Sequence, residues 1–166
     1  KYDYIDAQYD GYRYTIPALI YTYLNQDDPV VGGNAPERVA LRRAIAMGFD
    51  SDEFIKVFYG GQGLPANQIL PPGTSGHDPA LAAKSFHDPD AARALLDRFG
   101  YRDRDGDGFR EAPDGKPLTL VQSSTPDSDS READTLWLKN MAAIGIKMTV
   151  NSQPFNDLLK RSTAGQ

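Results

Sequence analysis

The chain has 166 residues and a mass of 18.2 kDa, with 18 Lys plus Arg against 23 Asp plus Glu and a formal charge of −5. A folded unit of that size buries roughly 70% of its extended-chain surface, and 40% apolar with 25% charged residues excludes long disorder, collagen-like sequence and coiled coil. The acidic balance argues against a phosphate backbone as partner, so no nucleic acid is expected, and no apolar run is long enough to span a membrane.

Seven of the nine Tyr lie at the start: Tyr2, Tyr4, Tyr9, Tyr12, Tyr14, Tyr21 and Tyr23. A tyrosine has an apolar body and a polar tip, which suits half-wet surfaces. Two readings stand open, the packing of an irregular N-terminal segment and a surface facing a further domain or a ligand cleft. Ile16 to Leu24 is apolar and β-prone, which predicts a strand with Pro17 at its start.

Helices are expected next. Pro36 suits a first helical turn, where its missing N–H is not needed. Ala40, Leu41, Ala44, Ile45 and Met47 then recur at three- and four-residue spacing, opposite Glu37, Arg38, Arg42 and Arg43, and Gly48 ends the pattern. Asp50 and Glu53 have capping-box spacing ahead of Phe54, Ile55, Val57 and Phe58, with Gly60-Gly61 as the stop. Residues 62–87 form a long Gly/Pro loop. Asp88-Pro89 starts a third helix with Ala92, Leu95, Leu96 and Phe99 on its stripe and Gly100 as its C′ residue.

The last third reads as a βαβ unit. A strand is expected from about Pro117 to Ser123, with Leu118, Leu120 and Gln122 alternating against Thr119 and Val121. Ser130 is the expected N-cap of a helix carrying Ala133, Leu136, Trp137, Asn140, Met141 and Ile144, stopped by Gly145. Ile146, Met148 and Val150 form a second strand, parallel to the first by a right-handed crossover. Pro154 and Phe155 open a final helix with Leu158 and Leu159.

Motifs for catalysis are poor. The absence of Cys excludes a disulfide framework, a cysteine nucleophile and a thiolate metal site. His77 and His87 lie in loop sequence, and Gly73-Thr74-Ser75-Gly76-His77 is not a nucleophile elbow. A hydrolase fragment using either His ranks last among the functional readings. Gly60-Gly61-Gln62-Gly63 lacks the third Gly of a dinucleotide fingerprint and follows a helix, not a strand. Asp103, Asp105, Asp107 and Gly108 match the opening of a calcium loop whose twelfth position is Asp114, where a bidentate Glu is expected. The competing explanation is a solvated Asp/Gly turn. A calcium-dependent interaction module built on Asp103–Asp114 is therefore the alternative to a binding domain without metal. No cofactor is expected, and the balance favours a binding module over an enzyme.

The order of segments carries a resemblance. It starts with Tyr21–Asn25, Val39–Asp50, then Pro65-Ala66-Asn67 with Leu70-Pro71-Pro72-Gly73. Asp88–Leu96 with Phe99-Gly100-Tyr101, Asp105–Arg110, Gly115–Leu118 and Met141–Ile146 follow in the same order. Together they resemble the dipeptide- and oligopeptide-type extracellular solute-binding proteins, family 5, of ABC importers, over about residues 20–161. The resemblance implies an α/β fold of the type II periplasmic-binding-protein kind, here a fragment of the C-terminal lobe: one lobe with a mixed sheet, a βαβ unit and flanking helices. It divides the chain into a Tyr-rich segment with a hinge-proximal strand, 1–30, and a partial second lobe, 31–166. It implies a protein exported to the periplasm, or lipid-anchored in a Gram-positive organism. Such a protein binds a peptide or related small solute and docks on ABC permease subunits that sense lobe closure.

In open α/β sheets ligands sit at strand carboxyl ends. The candidate binding residues are therefore Gln122, Ser123, Ser124 and Thr125 after one strand and Tyr23 and Asn25 after another, each set against an ordinary loop role. The start at Lys1 and the polar stretch Ser162–Gln166 fit an excised piece of a longer protein, whose signal peptide and other lobe lie outside it. Such a fragment is expected to bind ligand poorly alone.

Overall fold

A computed structural model describes residues 16–66, 68–81 and 86–165. The first five tyrosines, Tyr2 to Tyr14, lie outside the described residues. The elements are α1 (Pro36–Gly48), α2 (Ser51–Tyr59), α3 (Pro89–Arg98), β1 (Thr119–Ser124), α4 (Ser128–Ala143), β2 (Lys147–Ser152) and α5 (Phe155–Thr163).

Aspartates start three of these helices. Asp50 accepts from the Glu53 N–H at 2.8 Å, Asp88 from Ala91 at 2.8 Å and Asp127 from Ser130 at 2.8 Å. Each satisfies an amide that the first helical turn leaves without a partner. The expected cap Ser130 is thus corrected to Asp127. An aspartate caps as well as a serine, and Asp127 has extended backbone at the point where the chain turns out of the strand. Gly60 closes α2 in the left-handed region at φ 55°, a conformation a Cβ disfavours.

β1 and β2 pair in parallel from Thr119↔Lys147 to Ser124↔Ser152, and α4 is the crossover between them. Among the described residues this pair is the sheet. Isolated antiparallel bridges join Arg102 to Glu111 and Glu111 to Pro117. That last bridge occupies Pro117, so β1 begins two residues later than expected.

Ile16–Leu24 is a second correction. These residues form no ladder among those described, and Ile16, Ile20, Tyr21 and Tyr23 are exposed. β-propensity reflects fit to a pleated neighbour, and no neighbouring strand is described beside this segment.

The core lies between α1, α3, α4 and the inner face of β1. Leu41, Leu96, Met141, Ile144 and Ile146 are fully buried, the stripes that the helical spacing and strand alternation assign. Phe49 stacks on Trp137 with ring centroids 4.1 Å apart, which closes the α1–α2 corner over α4. Arg110 ties the loop after α3 to the end of α4. Its Nε donates to the Ile144 carbonyl at 3.0 Å, and its Nη1 donates to the Tyr101 carbonyl at 2.7 Å and to Asp97 at 2.5 Å. On the other side, Arg42 Nη1 donates to the carbonyls of Val31 at 2.6 Å and Gly33 at 2.8 Å. That pins residues 31–33 onto α1, and with them the turn that carries Asn25.

Candidate functional site

The parallel pair delivers both strand carboxyl ends to one place. Ser123 lies opposite Asn151 and Ser124 opposite Ser152, and the Gln153 N–H donates to the Ser124 carbonyl at 2.9 Å. α4 leaves from one strand end and α5 from the other, so two helix N-termini flank the same rim.

The six residues expected at the site divide. Ser123 is exposed on the rim. Ser124 is buried, on the face of β1 shared with Leu120. Gln122 is turned in the same direction. Its Nε2 donates to the buried Asp134 carboxylate of α4 at 3.1 Å, and its Oε1 is buried without a partner. The Thr125 hydroxyl donates to Asp127 at 2.5 Å and lies 2.6 Å from the Ser130 hydroxyl, inside the cap of α4. Tyr23 and Asn25 join none of these. The Tyr23 hydroxyl donates to Ser162 Oγ at 2.9 Å and Asn25 Nδ2 donates to the Gly165 carbonyl at 3.1 Å, both at the far end of α5.

The strand-end rule applied to β2 adds residues that reading the sequence missed. Asn151, Ser152 and Gln153 stand beside Ser123–Thr125. Phe155, the first residue of α5, is 67% exposed next to them. The signal was present as a second strand running parallel to the first, since both carboxyl ends must then open on the same side. The rim is thus hydroxyls, amides and one aromatic ring, suited to hydrogen-bonding and covering an organic solute.

Asp127 is the perturbed acid of this region. The Thr125 hydroxyl, then the Ser130 amide and hydroxyl, all donate to its carboxylate and hold its pKa far below the usual carboxylate range. A depressed folded-state pKa gives stability that is present above the unfolded value of about 3.9 and lost as pH falls through the folded value. In urea titrations between about pH 5 and pH 2, the stability advantage of the wild type over Asp127→Asn is therefore expected to shrink as the pH drops. A constant difference across that range would show that the charge plays no part.

The acidic loop holds Asp103, Asp105, Asp107 and Glu111, with one carboxylate oxygen from each within 4.8 Å of the others. The twelfth-position residue Asp114 does not join them, and instead pairs with Lys116 Nζ at 2.7 Å. Asp103 accepts the N–H groups of Gly106 at 2.7 Å and Gly108 at 3.0 Å. Asp105 accepts that of Asp107, Asp107 that of Phe109, and Glu111 that of Arg104. These bonds account for the Asp/Gly spacing as turn chemistry. His77 Nδ1 lies 2.8 Å from the Leu70 carbonyl oxygen, and His87 Nε2 lies 3.8 Å from Asp50, the cap of α2. The two histidines thus have separate local partners.

The sequence profile of the bacterial extracellular solute-binding proteins, family 5 middle region, matches residues 2–166. The chain belongs to this family. A curated relative is the di/tripeptide-binding protein 2 of Pseudomonas aeruginosa, 34% identical over 128 residues, 76% of this chain and 22% of the relative. The periplasmic alpha-galactoside-binding protein of Rhizobium meliloti is 27% identical over 122 residues, covering 68% of this chain and 17% of its own length. Among solved structures, the mannohexaose-bound periplasmic oligopeptide-binding protein of Thermotoga maritima superposes with a TM-score of 0.69 at 22% identity. It covers 84% of this chain and 26% of that one. Lactococcal OppA with an endogenous peptide, in the closed conformation, superposes with a TM-score of 0.66 at 25% identity, over 78% of this chain and 25% of that one. The family 5 chain described here is thus α/β with the architecture of part of one periplasmic-binding-protein lobe, and it spans about a sixth to a quarter of the length of these relatives. The relatives are solute-binding transport proteins.

Proposed function

We propose that this chain is part of the substrate-binding component of an ABC importer that takes up peptides or similar solutes. It works in the periplasm and delivers its load to membrane permease subunits, without catalysis. The observation that carries this reading is the family match along residues 2–166. Residues 31–166 then form part of the second lobe, and 1–30 form the segment next to the hinge. The lobe's contribution to the solute site is the rim of Ser123 and Thr125 with Asn151, Ser152, Gln153 and Phe155. Gln122 and Ser124 support that rim from beneath. The rim presents neutral hydrogen-bonding groups and a ring, which suit a solute whose length and side chains vary.

The experiment is hydrogen exchange of the full-length protein with and without di- and tripeptides. Saturable binding that slows exchange at 122–125 and 151–156 supports the reading. The absence of binding to any peptide refutes peptide uptake, and binding without protection there moves the solute to another surface.

A further inference from the structure

A cavity of about 450 Å³ lies at the C-terminal end of α4, against the loop after α3. The strand-end rim sits at the other end of α4, and a helix of 16 residues puts roughly 24 Å between the two. Arg93, Asp97, Arg102, Asp103 and Arg110 line the cavity beside the backbone of 142–145. The lining carries three arginines against two aspartates, a positive spot on a chain whose net charge is −5.

Its acceptors are already engaged. The Ala142 carbonyl accepts the Gly145 N–H at 2.9 Å, and the Ala143 carbonyl accepts Arg93 Nη1 at 2.8 Å. The Ile144 carbonyl accepts Arg110 Nε at 3.0 Å, and the Gly145 carbonyl accepts the Arg110 N–H at 2.8 Å. Asp97 pairs with Arg110 Nη1, and Asp103 accepts the N–H groups of Gly106 and Gly108. What is left over is donors. The Arg110 side chain is only 12% exposed, yet its Nη2 has no partner among the described residues. It is also held still, because it packs on Gly145, where a Cβ would come within 3.1 Å of its Nε. Arg102 is exposed and joined to Glu111 through its backbone, and its guanidinium bonds to nothing among the described residues. A guanidinium has five N–H donors and no acceptor, so the polar capacity still unused here belongs to N–H groups on cations.

We propose that this cavity binds a small multivalent oxyanion, a phosphate or a di- or tricarboxylate, with Arg102 and the Nη2 of Arg110 as its donors. Guanidinium groups match the paired oxygens of such anions, and charge-assisted bonds of this kind are the strong ones. The volume lies within the range of about 300–1,000 Å³ usual for small-molecule sites. The site stands apart from the solute rim and does not rest on the solute-binding reading.

The test titrates the full-length protein with sodium phosphate and with citrate by calorimetry. Ionic strength is held constant so that screening does not pass for binding. Wild type is compared with Arg102→Ala, Arg102→Lys and the rim variant Ser123→Ala. Arg102 holds no other side chain or helix end in place, so its variants are expected to keep the wild-type thermal midpoint. Saturable binding of at least one anion is expected, weakened roughly tenfold or more by Arg102→Ala. Arg102→Lys keeps the charge but loses the fork, so an intermediate affinity is expected, and Ser123→Ala is expected to match wild type. Absence of saturable binding for both anions overturns the proposal. So does an affinity that Arg102→Ala leaves within twofold of wild type, or one that Ser123→Ala weakens as much.

Discussion

Gly32→Ala is expected to destabilise the fold by about 3 kcal/mol or more, measured by urea unfolding of the purified chain. A Cβ at position 32 would lie 2.2 Å from the Gln26 carbonyl oxygen and 2.5 Å from that of Asp28. Both obstacles are backbone, so no rotamer change relieves them. The surrounding turn cannot drift away either. The Gly32 N–H donates to the Asp28 carbonyl at 2.9 Å, the Gly33 N–H to that of Gln26 at 2.9 Å, and Arg38 and Arg42 hold the carbonyls of 31–33 against α1. Relaxing the clash means breaking that set of bonds and releasing the turn with Asn25. The effect comes from close approach, since Gly32 does not have a positive φ; Gly33 does, at 78°. A variant that unfolds within about 0.5 kcal/mol of wild type would show that the turn is not locked.

Met141→Ala is expected to cost about 2–5 kcal/mol in the same measurement. Met141 is fully buried in α4, and its Cε reaches to within 3.1 Å of where a Cβ on Gly48 would stand. The end of α1 therefore passes close over α4, with Met141 and Ile144 filling the gap. Truncating Met141 removes apolar burial and leaves a void that rigid helices cannot collapse into. Met141→Leu keeps the volume and is expected to cost less than about 1.5 kcal/mol. Equal losses for the two variants would contradict packing as the cause.

Local chemistry was legible in the sequence. The Asp50 and Asp88 caps, the Gly60 stop and the helical stripes of α1, α3 and α4 all follow from short-range pattern, because each needs partners only three or four residues away. The parallel βαβ unit followed from alternation and length. Strand alternation also placed Gln122 on the face of Leu120, beneath α4, although strand position made it a candidate for solute contact. Other features depended on distant partners. Ile16–Leu24 has the composition of a strand, but composition supplies no neighbour to pair with. Glu111 replaces Asp114 in the acidic loop because the Arg102–Glu111 and Glu111–Pro117 bridges fold the chain back there. The Tyr23–Ser162 bond joins residues 139 apart, and no local signal announces it. Family resemblance supplied what these local rules could not, the order of segments along the chain.

Hydrogen exchange of the full-length protein, solute-free and saturated with peptide, most directly tests whether this lobe offers its strand carboxyl ends to the solute. Slowed exchange confined to residues 122–125 and 151–156 is the predicted result. Binding that leaves both segments unchanged, with protection elsewhere, would contradict it.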